Sequence, residues 1–101
     1  MQIREFQRLI EQLYFDRDSE RGLEGTYMWF AEEIGELTRA LRRGHTGADL
    51  EGEFADVFAW LVSLASMKGV DLEAVALAKY FKDGVPGHEK DRPDGGAPAE
   101  G

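Results

Sequence analysis

Five carboxylates crowd into one short stretch of this chain. Glu32, Glu33 and Glu36 fall in EEIGE, and Glu53 and Asp56 follow in EFAD. Residues three apart on a helix are neighbours on its surface, separated by a rise of about 4.5 Å. Glu33 with Glu36, and Glu53 with Asp56, would each form a two-carboxylate claw. Like charges so close repel one another and call for a cation between them. Ligands made only of oxygen point to a hard ion, Mg²⁺ or alternatively Mn²⁺. An acid run by itself is more often a solvated face, so the weight lies on the two claws matching each other.

They match in rotation and in height. Taking Ile34 as zero at about 100° per residue, Phe30, Leu37 and Leu41 form an apolar stripe, flanked by Glu33, Trp29 and Glu36. From Phe54 on the next helix, Val57 and Leu61 form the stripe, flanked by Glu53, Trp60 and Asp56. RRGHTGAD between them reads as a hairpin turn, with Gly44 past one helix end and Asp49 as the next N-cap. Glu36 and Asp56 each lie about 10 Å from that turn, so an antiparallel hairpin brings the claws level.

The remaining elements must hold this hairpin. Residues 2–15 read as an amphipathic helix through Ile3, Phe6, Ile10 and Leu13. FDRDSERGLEG reads as a charged connection, with Arg17 and Arg21 on a lid towards phosphate as the functional alternative. Thr26 is the expected N-cap of a helix running to about Arg43, and Gly35 inside it would permit a close approach. The third helix, about 50–68, is apolar over much of its circumference. A fourth, about 72–82, follows the cap Asp71. Residues 84–101 hold all three prolines and read as a disordered tail beyond a domain of residues 1–83.

Composition removes several classes of function. Twenty acids against twelve bases give a net charge of −8, which argues against nucleic acid as a partner. No cysteine is present for disulfide or thiolate chemistry. No apolar run reaches the ~20 residues of a membrane span, so a cytoplasmic protein is expected. His45 and His88 stand in no ExxH pair, which disfavours a di-iron carboxylate site. No GxxxxGK[ST] loop is present, and Ser19, Ser63 and Ser66 lack a helical histidine partner.

EExxE on one helix and ExxD on the next resemble the MazG-like nucleoside triphosphate pyrophosphohydrolases. WFAEEIGELTRAL and EFADVFAWLVSLASMKGVDLEAVALAKY look like that family's core, and the resemblance spans about residues 1–82. It implies an all-α, four-helix bundle built on the hairpin, and Mg²⁺-dependent hydrolysis of a (d)NTP to (d)NMP and pyrophosphate in nucleotide-pool house-cleaning. Glu33, Glu36, Glu53 and Asp56 would hold metal, with Glu32 ligating a further ion or orienting water. Lys79 looks like the family lysine that reaches phosphate, with Lys82 and Lys68 as weaker choices. Trp29 and Trp60 are candidates to stack on a base or sugar. The broad apolar surface of the third helix, together with the resemblance, implies a homo-oligomer, a tetramer in preference to a dimer. The alternatives are a phosphoribosyl-ATP pyrophosphohydrolase-like enzyme and a non-catalytic helical oligomer that binds Mg²⁺-nucleotide.

Overall fold

A computed structural model describes residues 1–82 together with Val85 and Pro86. Three helices dominate: α1 (Ile3–Arg42), α2 (Gly47–Met67) and α3 (Leu72–Tyr80). A two-residue antiparallel pair follows, Phe81–Lys82 (β1) against Val85–Pro86 (β2). The expectation of a disordered tail falls, apart from that pair, outside the described residues.

The connection expected at FDRDSERGLEG is helix. Only Gly22 leaves helical geometry, at φ 84° and ψ 170°, and it divides α1 into two limbs. Such a backbone is strained for any residue with a Cβ, and glycine adopts it freely. The charges and glycines of this stretch imitate a loop, yet Ile10, Tyr14, Arg17 and Arg21 keep helical spacing through it. Thr26 is accordingly no N-cap; it is fully buried within the second limb.

The hairpin turn lies where expected. Arg43 caps α1, and Gly44, at φ 72°, lets the chain reverse so that the His45 N–H donates to the Ala40 carbonyl at 2.9 Å. Helix α2 starts at Gly47 after Thr46, earlier than the expected cap, which places Asp49 in the first turn against the positive end of the helix. Gly35 has only Arg39 Nη1 near a notional Cβ, at 3.8 Å, so no backbone packs closely there.

Asp71 caps α3, its carboxylate accepting from the Ala74 N–H at 3.0 Å. That end is tied back to α1 by Arg4, which meets Asp71 at 2.7 Å and Glu73 at 3.3 Å. Buried Gln7 completes the junction: its amide donates to Ser66 Oγ and the Val70 carbonyl and accepts from the Leu72 N–H. Phe6 stacks on Phe58 with centroids 5.2 Å apart, fixing the first limb against α2.

The apolar stripe of the hairpin is only partly covered within one chain, with Phe30, Leu37 and Val57 half-buried. Ile34, Leu41, Phe54 and Leu61 are exposed, and among the described hydrophobic residues only Ile10, Ala40 and Val62 are buried. The flanks meet between α1 and α2 where Trp29 reaches Trp60.

Candidate functional site

Two tryptophans mark where the flanks meet. Trp29 on the second limb of α1 stacks on Trp60 of α2, with centroids 6.2 Å apart and planes inclined by 11°. Beside them Glu33, Glu53 and Asp56 each offer an oxygen, and these three atoms lie within 4.8 Å of one another. Glu33 and Glu53 are half-buried and Asp56 is exposed. One carboxylate comes from α1 and two from α2, so the turn at residues 43–46 sets the register of the cluster.

The electrostatics are unfavourable for three free anions. Burial pushes the Glu33 carboxyl above its ordinary range, and the charges of Glu36, Asp56, Glu53 and Glu32 push it further. Glu33 Oε1 and Glu53 Oε1 are buried without any hydrogen-bond partner. A buried acceptor left unpaired is costly, and two pointing into one acidic cluster are what a hard cation satisfies. The donor set fits Mg²⁺ or Mn²⁺: oxygen only, anionic and open on the Asp56 side.

The other expected site residues divide. Glu36 is half-buried and raises the Glu33 carboxyl, but stands outside the three-oxygen group. Glu32 is exposed and lines a separate hollow with Gly25, Met28 and Trp29. Lys79 is exposed on α3 with its ammonium 6.0 Å from the Tyr80 ring centroid.

A cavity of about 250 Å³ opens beside the cluster, lined by Tyr14, Arg17, Asp18, Arg21, Asp56, Trp60 and their apolar neighbours. Asp56 belongs to both. Small-molecule sites begin at about 300 Å³, so the cavity suits one ring system rather than a whole nucleotide. Arg21 lies over Trp60, 5.0 Å from the ring centroid, and bonds Asp18 at 2.8 Å and Thr26 Oγ1 at 3.3 Å. Gly25 makes room for it, since a Cβ there would come within 2.7 Å of Arg21 Cγ. Asp18 and Ser63 were absent from the expected site. The signal that reaches Asp18 is the helical spacing of Ile10, Tyr14 and Asp18, which continues through the presumed loop.

Residues 21–82 match the family model of the MazG nucleotide pyrophosphohydrolase domain. The chain belongs to the MazG family. That assignment suggests a nucleotide pyrophosphohydrolase, and the family match begins at the helix break rather than at the first limb. No curated protein matches the chain. Among the described residues no helix is long and apolar enough to cross a membrane.

Proposed function

We propose that the protein is a Mg²⁺-dependent nucleoside triphosphate pyrophosphohydrolase serving nucleotide-pool house-cleaning in the cytoplasm. The observation that carries this is the three-oxygen group of Glu33, Glu53 and Asp56, on residues two of which also hold a buried, unpartnered Oε1. Those three residues, with Glu36 from the adjoining turn, would hold the metal. Bound Mg²⁺ supplies positive charge to phosphate oxygens and acidifies water.

The chain's own groups do the rest. Trp60 and Arg21 form the wall along which the nucleoside lies, next to Asp56. Glu32 enters on the family resemblance alone, to ligate a further ion or orient the attacking water. The water oxygen bonds to the α-phosphorus and loses a proton to solvent, the bond to the α–β bridging oxygen breaks, and pyrophosphate departs with the electron pair. Lys79 enters on the family resemblance alone, as the cation for the departing phosphates; Arg17 and Arg21 are the cations that share the cavity with Asp56.

The fold in this reading is a four-helix bundle, with the limbs of α1 counted separately, assembled as a homo-oligomer, a tetramer rather than a dimer. Exposed Ile34, Leu41, Phe54 and Leu61 supply the apolar face for it. Light scattering that returns the mass of a single chain overturns the assembly.

Hydrolysis in ¹⁸O-labelled water tests the chemistry. Label in the monophosphate with unlabelled pyrophosphate is expected; release of inorganic phosphate and a diphosphate overturns it. Turnover of phosphoribosyl-ATP but not of (d)NTPs would reassign the substrate, and binding without turnover would leave a nucleotide-binding module.

A further inference from the structure

Asp18 is 7% exposed and lines the cavity next to Asp56 and Trp60. Its Oδ1 accepts from Arg21 Nη1 at 2.8 Å, whereas Oδ2 has no protein donor among the described residues. Bracing the helix break occupies one oxygen; the other is a carboxylate acceptor that stays open to a donor on a ligand in the cavity.

We propose that Asp18 is a specificity residue that accepts a hydrogen bond from the exocyclic amino group of the nucleobase, and so selects cytosine or adenine over uracil or hypoxanthine. This rests on the pyrophosphohydrolase reading above. Trp60, Tyr14 and Arg17 give the cavity flat and stacking surfaces suited to a ring. Along its edge the Asp18–Arg21 pair sets an acceptor beside a donor. Cytosine and adenine present the complement, an amino N–H beside an unprotonated ring nitrogen. Uracil and hypoxanthine reverse it, with a carbonyl oxygen where the amino group stood. Uracil can offer its N3–H to Asp18 only with a carbonyl on each side, one of which then faces the carboxylate. A site built around a buried polar group discriminates strongly against the analogue that leaves it unpaired. Buried Ser63, whose hydroxyl both donates and accepts, lines the same cavity and tolerates either pattern.

The test compares kcat/KM for dCTP against dUTP and for dATP against dITP, with Mg²⁺, by pyrophosphate release. The wild type is expected to favour the amino base at least about tenfold in the pair it turns over better. Asp18→Asn places an amide that can donate to a carbonyl, so the ratio falls about tenfold or inverts. A purely structural Asp18 would lower stability in that variant and leave the ratio unmoved, which overturns the proposal. A wild-type ratio near one overturns it without any variant. Should no triphosphate be hydrolysed, the pyrophosphohydrolase reading falls by itself. Dissociation constants for the same nucleotides from tryptophan quenching then judge Asp18 separately, by the same amino-to-oxo ratio.

Discussion

Removing one charge from the carboxylate group should stabilise the metal-free protein while weakening its hold on metal. Glu33→Gln keeps the side-chain shape and takes away the anion closest in character to a buried one. Two unit charges 4.8 Å apart repel by about 1 kcal/mol in water and about 3 kcal/mol at an effective dielectric of about 20. Asp56 is exposed, so its share lies at the lower end. The new amide N–H can also donate to Glu53 Oε1, which otherwise has no partner. A gain of about 1–3 kcal/mol corresponds to at least about 4 °C in melting temperature for a domain of this size. The measurement is thermal unfolding at pH 8 in EDTA, and again with excess Mg²⁺. Mg²⁺ at 100 times its Kd adds about 2.7 kcal/mol to the wild type, and much less to the variant. Hydrolytic activity falls by orders of magnitude. A variant that melts earlier than wild type in EDTA, or one with an undiminished Mg²⁺ shift, refutes the reasoning.

Gly22→Ala forces a Cβ into the left-handed region although nothing crowds it; a loss of about 1–3 kcal/mol is expected in urea unfolding, with helicity retained. The Asp71 carboxyl is held below its ordinary range, first by the Ala74 N–H and then by Arg4. Its folded pKa being depressed, its contribution is present above the ordinary value of 3.8 and lost as pH falls through the folded one. Urea midpoints followed from pH 5 downwards should therefore drop more steeply for wild type than for Asp71→Ala. Trp60→Ala removes both the Trp29 stack and the Arg21 contact, so the near-ultraviolet circular dichroism weakens and KM for nucleotide rises at least about tenfold.

The carboxylate group was legible because helical spacing alone puts Glu33, Glu53 and Asp56 on matching flanks, with Trp29 and Trp60 beside them. Asp18 was not, because seeing it requires knowing that helix continues through DRDSER, where charge and Gly22 imitate a loop. The orientation of Ile34 and Phe54 was not legible either. Periodicity marks an apolar stripe but does not say whether the same chain covers it, and here the chain leaves both exposed.

Ile10, Ala40 and Val62 are a slender interior for so many large apolar side chains left outside. In an assembly that covers the exposed face, much of the burial that holds a protomer together comes from its neighbours. Folding and association then draw on a single free energy, and the unfolding equilibrium carries a factor of protein concentration. Dilution would then act as a denaturant: melting temperature and specific activity would both decline as the protein is thinned towards the dissociation constant. Inside a cell, the amount of chain synthesised would set the folded fraction as well as the total. Doubling expression would more than double the working enzyme, and modest under-expression would silence it.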